Sequence, residues 1–570
     1  MTDDKPRLYN LSRRKLLGGL GAVGLASAGA GLGTSAYFTD TEAFRSNRLQ
    51  AGELDLVLDW QQTYYGPDSG PMYGTAGRPY VSAYPDGDGD GVQDHVPQSF
   101  VVWAKREGYD LADPAGRHAA IDAFKAAFFA NGADDMDPLV ELTDVKPGDW
   151  GEVTMSIHFF DNPSYVRMVG GLVSDFENGA TEPERASSDT TLGDPGPGEG
   201  ELDEATEVLI WADDGDNVYE PRNGAEVDVV VLFDTSCSME WADSSAGCSP
   251  GENTPAPDKF PQAQEGAKAL FEELLAEPDV SGLGLPADMV PNADVRVGLV
   301  EYGNDTGVKH SLGASLADLK AAIDGMSPGN STELPTALED AKAMFDDAGR
   351  ADAHRCVIVI GDGQPHDTDN NEGDGGYAYD DWGATYSVEL TDELESDYGA
   401  HVLTVHYEVD PDVPLAKGID PAVLPSGYST PLDTIDLFEV MASYDADLET
   451  RLAFGADRDR LTCVLMRIAR MCAGEVPLFY GTLAEALEAL DTTTGDGILL
   501  VGNPRVDADD AIDAPTRACL EWSCTYYTAF KWMVPTDVGN EIQTDSVVFD
   551  IGFEAEQCRH NEVPFATDAA

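Results

Sequence analysis

A chain of 570 residues, 42% of them hydrophobic and 34 of them proline, has the material for several folded cores and is neither a linker nor a disordered tail. Its 105 acidic residues stand against 34 lysines and arginines, a formal net charge of −71. A surface of that sign repels phosphate backbones and anionic lipid, which excludes nucleic-acid binding and makes cations the natural small partners.

Ser12-Arg13-Arg14-Lys15 precedes an uncharged Gly- and Ala-rich stretch, Leu16 to Ala36, that ends Thr34-Ser35-Ala36. Residues 1–36 therefore read as an export signal of the twin-arginine type, with the mature chain starting near Tyr37. The alternative is a retained anchor, since a stretch of about 20 apolar residues spans a bilayer. No other stretch is apolar over that length, so no membrane insertion is expected once the signal is removed.

From residue 37 to 224 the pattern is one of strands, with alternation between Val153 and Phe159 typical of a half-buried strand. Asp86-Gly-Asp88-Gly-Asp90-Gly91 followed by Asp94 has the spacing of oxygen-lined calcium loops, with Pro97 where a glutamate usually closes the set. A solvated turn is the alternative there. Asp214-Gly-Asp216-Asn217 with Glu220 is a poorer version of the same spacing, and 181–204, rich in Pro, Gly, Ser and acids, reads as a flexible loop.

Strand and helix then alternate: strand 227–233, helix 260–276, strand 295–302, helices 315–326 and 334–346, strands 356–360 and 401–407, helices 434–443 and 459–472. The apolar run Val227 to Phe233 reads as a strand buried on both faces, and it stops at Asp234-Thr-Ser236-Cys237-Ser238. Parallel sheets bind ligands at the carboxyl ends of their strands, and alternating hard oxygens there suit Mg²⁺. Two later stretches also set a polar residue beside an apolar element: Thr332, followed by Ala337-Leu338, and Asp362-Gly363 at the end of the apolar run from Cys356. Singly, each of these acids and hydroxyls reads as a helix cap or a turn residue.

Together they resemble the metal ion-dependent adhesion site of a von Willebrand factor type A domain. Two departures stand out: Asn330-Ser331 replaces the family's paired glycines, and Gly361 stands where threonine is common. The resemblance implies an α/β, Rossmann-like domain over 226–474 with Mg²⁺ (or Mn²⁺) at the site. In that scheme Ser236, Ser238 and Thr332 coordinate the ion, Asp234 and Asp362 hold its waters, and one position is left for a carboxylate from a protein partner.

The flanking regions carry a second resemblance. Tyr37-Phe-Thr-Asp-Thr-Glu42, Ala51-Gly-Glu-Leu-Asp-Leu56, Val145-Lys-Pro-Gly-Asp-Trp150 through Phe160, and Asn540 through Asn561 are similar to the TasA and camelysin family of secreted jelly-roll proteins, the last piece to its haloarchaeal branch. The spread of acids along the chain also looks like a halophile's solvated surface. These likenesses imply a multidomain chain: an all-β jelly roll in two pieces, 37–224 and 476–566, with the A domain inserted between them.

Eight cysteines suit an exported protein. Cys237 with Cys248 is a candidate pair, as is Cys519 or Cys524 with Cys558, while Cys356, in mid-strand, reads as a buried free thiol. The nine histidines form no His-Glu-x-x-His, and no nucleophile elbow or phosphate loop is present, so no enzyme is expected despite camelysin's association with proteolysis. The expected function is a secreted or cell-surface adhesion protein. Its alternative is a matrix or fibre subunit that self-assembles through the jelly roll.

Overall fold

The computed structural model describes residues 39–43, 55–65, 80–97, 100–129 (without 112), 145–179 (without 161), 181–184, 200–240, 256–363 (without 304, 305, 330 and 331), 381–409, 415, 419–500 (without 446–449, 459 and 494), 519–521, 524–558, 561, 564 and 565. The expected export signal with Arg13 and Arg14, its expected cleavage site, and Cys248 lie outside the described residues.

The first region holds β1 (Thr39–Ala43), β2 (Asp55–Tyr65), β3 (Tyr80–Tyr84), α1 (Phe100–Arg106), α2 (Pro114–Phe128), β4 (Trp150–Phe160), β5 (Ser164–Phe176), α3 (Leu202–Ala205) and β6 (Glu207–Asp213). The alternating region follows: β7 (Glu226–Thr235), α4 (Lys259–Leu275), β8 (Asp294–Gly303), β9 (Gly307–His310), α5 (Leu316–Gly325), α6 (Leu334–Ala348), β10 (His354–Gly361), α7 (Asp381–Tyr398), β11 (Ala400–Tyr407), α8 (Thr434–Met441), β12 (Tyr444–Asp445), β13 (Thr450–Arg451), β14 (Ala453–Ala456) and α9 (Leu461–Ala473). Last come β15 (Val476–Thr482), α10 (Leu483–Leu490), β16 (Ile498–Leu500), β17 (Thr525–Met533) and β18 (Ser546–Gln557).

The alternating region makes one sheet in the order β14-β11-β10-β7-β8-β9, parallel except for β9. Its central strand β7 is buried on both faces, as its unbroken apolar run requires. Val227, Val229, Val231 and Phe233 pack with Ala263, Ala267 and Leu270 of α4, while Val230 and Leu232 pack with Leu338 and Ala341 of α6 on the other side. Each such fully buried side chain contributes roughly 1.5–3 kcal/mol. Predicted helix and strand positions agree with this sheet to within a few residues; β9, α7 and β14 were not among them.

Strands from before and after that region combine in two antiparallel sheets, β1-β18-β5-β16 and β15-β6-β17-β4-β2-β3. They pack face to face: Leu56, Leu58, Val153, Met155 and Ile157 of one sheet share a core with Val166, Met168, Ile551 and Phe553 of the other. The chain thus leaves this sandwich after β6 and returns to it at β15, which pairs with β6 so that Val476 faces Ala212. Two features depart from the sequence reading. Helices α1 and α2 pack an aromatic cluster, Phe100, Trp103 and Phe124, against Phe160 of β4, and Asp113 caps α2 through Gly116 N. In the stretch read as a loop over 181–204, residues Leu202–Ala205 form a short helix with Asp203 buried.

The disulfides also correct the reading. Cys356 is no free thiol: it is bonded to Cys472, tying β10 to α9. Cys519 is bonded to Cys558, whereas Cys524 is bonded to Cys463 of α9, a link between sandwich and α/β region that spacing did not suggest. Cys237 is disulfide-bonded.

Candidate functional site

Because β7 and β10 are parallel neighbours with Ile360 opposite Phe233, the residues that leave their carboxyl ends emerge side by side. Asp234 comes from one strand and Asp362 from the other. Asp234 Oδ1 accepts from Ser236 N at 2.7 Å and its Oδ2 from Asp362 N at 3.3 Å, so the acid fastens both loops to each other. A short 3-10 turn, Cys237–Glu240, then brings Ser238 back over the strand end. Ser236 Oγ lies 2.7 Å from Ser238 Oγ, which donates to Asp362 Oδ1 at 2.6 Å. Thr332 completes the ring from the approach to α6: a β-carbon placed on Gly363 would lie 3.2 Å from Ser238 Oγ and 3.4 Å from Thr332 Oγ1. Asp234, Ser236, Ser238 and Asp362 are thus joined by hydrogen bonds, and Thr332 lies beside Gly363 at the edge of the same cluster.

Two residues of the site were not expected. Lys259, the first residue of α4, is fully buried, ion-pairs with Asp362 Oδ2 and donates to the Ser238 carbonyl at 3.3 Å. Its backbone carbonyl accepts from the Tyr407 hydroxyl at 3.0 Å. The available signal was a lysine at a helix N-terminus, where the helix dipole disfavours it unless an acid compensates. Tyr302 of β8 is the other. Its hydroxyl donates to the Ile360 carbonyl at 2.8 Å, and a β-carbon on Gly361 would fall 2.1 Å from that oxygen. Glycine at 361 is thus a steric requirement of the tyrosine beside it.

Burial, and then the charge of Asp362, push the Asp234 carboxyl up to about 8. One lysine stands against two buried carboxylates, so an ionised pair leaves one negative charge for a cation to balance. The donors facing it are hydroxyl and carboxylate oxygens with no nitrogen or sulfur ligand, a set that fits a hard divalent ion such as Mg²⁺ or Mn²⁺.

The second expected cation loop is exposed. One carboxylate oxygen each of Asp86, Asp88 and Asp90 lie within 4.8 Å of one another. Asp86 also organises the turn, accepting from Gly89 N, Asp90 N and Gly91 N at 2.8, 3.2 and 3.0 Å. Asp94 stands apart from that trio and closes the loop by accepting from Gly87 N at 2.6 Å. The charge of Asp90 is the main reason the Asp88 carboxyl is raised. In the poorer loop, Asp216 and Glu220 sit at the joint between the two regions, where Glu475 accepts from Asp214 N and Glu220 N, both at 2.9 Å.

Residues 229–364 match the model of the von Willebrand factor type A domain, and the chain carries such a domain there. Solved structures with a similar fold include the von Willebrand factor domain of the type V pili tip protein Mfa5 from Porphyromonas gingivalis, at 14% identity and a TM-score of 0.28, covering 44% of this chain and 95% of that one. A point mutant of the PilB minor pilin from Streptococcus sanguinis is similar at 13% identity and a TM-score of 0.28, over 44% of this chain and 62% of that one. Proximal thread matrix protein 1 from the mussel byssus, with a zinc-occupied MIDAS motif, gives 14% identity and a TM-score of 0.26, over 47% of this chain and 48% of that one. No curated protein matches the chain. No helix among the described residues is long and apolar enough to cross a membrane.

Proposed function

We propose that this is a secreted or cell-surface adhesion protein, without catalytic activity, that binds a partner's carboxylate through a divalent cation held by Asp234, Ser236, Ser238, Thr332 and Asp362. The observation that carries the reading is the hydrogen-bonded cluster of Asp234, Ser236, Ser238 and Asp362 at the carboxyl ends of two adjacent parallel strands, with Thr332 beside Gly363. A bound Mg²⁺ or Mn²⁺ would supply positive character toward an acidic ligand on a chain that otherwise repels one. Asp234 fixes the two loops through backbone N–H groups, the two serines and Thr332 present hydroxyl oxygens, and Lys259 neutralises one edge of Asp362. In this reading the sandwich is a TasA-like jelly roll of a haloarchaeal protein that displays the domain, with 37–224 and 476–566 as its two pieces.

Manganese binding to the full chain, followed by electron paramagnetic resonance, tests the site, and retention on carboxylate-coated beads in Mg²⁺ tests its use. Wild type and Asp88→Ala are expected to be retained, Asp234→Ala and Thr332→Ala to be released. Equal retention of all four in chelator removes the reading.

A second reading, self-assembly into a matrix or fibre, is favoured by exposed apolar side chains gathered where β5 and β18 run together: Leu172, Val173, Phe176 and Val548. Sedimentation of the full chain at high salt separates the two, since dispersed monomers exclude assembly through that strand pair.

A further inference from the structure

Strand β5 runs out at Phe176, which pairs with Ser546, the first residue of β18. The next residue along one strand is Glu177 and the preceding residue of the other is Asp545, so two acids stand across from each other at the mouth of the ladder. Like charges in that position oppose pairing. Glu184 joins them from the turn at 181–184, and one carboxylate oxygen from each of the three lies within 4.8 Å of the others. This is no solvated patch: Glu177 is 3% exposed and Glu184 0%.

Backbone donors reach one oxygen of each acid. Glu177 Oε1 accepts from Gly179 N at 3.0 Å, Glu184 Oε2 from Thr181 N at 2.5 Å and Asp545 Oδ2 from Glu201 N at 2.7 Å. The remaining oxygens, Glu177 Oε2 and Asp545 Oδ1, are buried and have no hydrogen-bond partner among the described residues. Two acids whose carboxylate oxygens lie within 4.8 Å of each other, each with a buried oxygen that no described group donates to, call for a positive partner between them.

We propose that Glu177, Glu184 and Asp545 bind a calcium ion that closes the β5–β18 end of the sandwich. The donors are all carboxylate oxygens, with no histidine or cysteine among them. Ligand atoms on a common ion at calcium's bond lengths of about 2.3–2.6 Å stand up to about 5 Å apart, which matches this spacing. Magnesium asks for a tighter octahedron and retains several waters, for which Glu177 and Glu184, both buried, leave little access beside the half-buried Asp545. The ion would hold three separate pieces of chain together: the end of β5, the 181–184 turn, and the start of β18 with Glu201 attached through Asp545. The inference is independent of the adhesion site, which lies on other elements.

The test is hydrogen exchange on the wild-type full chain in calcium, in magnesium and in chelator at constant ionic strength, with bound calcium counted by equilibrium dialysis for wild type and Glu177→Gln. Calcium, and not magnesium, is expected to slow exchange at 177–184 and 543–546, and Glu177→Gln to bind one calcium fewer per chain. Should that variant fail to fold, Asp545→Asn is counted in its place, and the wild-type exchange decides. Exchange in those segments that ignores calcium, or an unchanged calcium count, overturns the site and leaves a shared proton as the arrangement.

Discussion

The α/β region and the β5–β18 end of the sandwich treat buried acids in opposite ways. In the first, Asp228, Asp362 and Glu301 are each met by a basic side chain of the protein. Asp228, fully buried, takes both Arg296 (Nε 2.9 Å, Nη2 2.9 Å) and Arg350 (Nε 3.0 Å). Asp362 takes Lys259, and Glu301 takes Lys309 at 2.8 Å. In the second, Glu177 and Asp545 lie close together, each left with a buried oxygen that no described group donates to. With 34 basic residues against 105 acidic ones, positive charge is the scarce material of this chain. The contrast teaches that internal cations are placed where a loop cluster has to keep its shape, while the sandwich end depends on an ion from solution.

The strongest way to break the contrast is to remove an internal cation. Lys259→Met leaves Asp362 and Asp234 buried without it and is expected to cost about 3–5 kcal/mol in chelator, read by denaturant unfolding. If the ring of oxygens holds a divalent ion, magnesium restores part of that loss; stability equal to wild type in chelator would show the lysine to be dispensable. Next in size is the covalent tie between the two regions. Converting Cys463 and Cys524 to serine opens a loop of 61 residues and should cost about 2–4 kcal/mol, with separate unfolding transitions for sandwich and α/β region in calorimetry.

Acid sharpens the comparison from another side. His406, 4% exposed at the end of β11, is lowered to about 3 by burial first, and then by the charges of Arg106, Lys105 and Arg460. A histidine held neutral in the fold but protonated at about 6.5 when unfolded binds fewer protons in the native state between those values. Stability is therefore intact above pH 6.5 and lost as pH falls, by about 2 kcal/mol at pH 5 for this one group. His406→Asn should flatten the acid limb of the unfolding curve, and an unchanged slope between pH 6.5 and 5 counts against this cause. Smallest of all is the exposed loop. Asp88→Ala is expected to lower the melting temperature in calcium only slightly, and to leave it unchanged in chelator.

What the sequence made legible follows from range. Val227 to Phe233 announces a central strand by composition alone, and Asp234, Ser236 and Ser238 follow it within a few residues. Thr332 and Asp362 were reachable because each ends or begins an element with its own apolar pattern. The partners that set the site's charge and shape were not, because Lys259 and Tyr302 act through tertiary neighbours rather than through a local motif. Glu177, Glu184 and Asp545 come together only because β5 and β18 pair across more than half the chain, and no spacing rule joins them. The Cys463–Cys524 bond was hidden for the same reason: its two ends were assigned to different regions, and Cys524 had a nearer candidate in Cys558.

That bond also has a mechanical meaning. The chain enters and leaves the α/β region through β6 and β15, hydrogen-bonded neighbours whose pairing begins at Ala212 and Val476, next to the exit point. Tension applied at the crest of the parallel sheet would load this pair from its end, opening it one rung at a time like a zip, the weakest direction for a two-strand ladder. The disulfide from α9 to the residue before β17 gives the load a second route, into the middle of a six-stranded sheet, where β17 is flanked by β4 and β6 and can yield only by sliding past both. A domain held this way transmits pull through a covalent strut as well as through the β6–β15 pair.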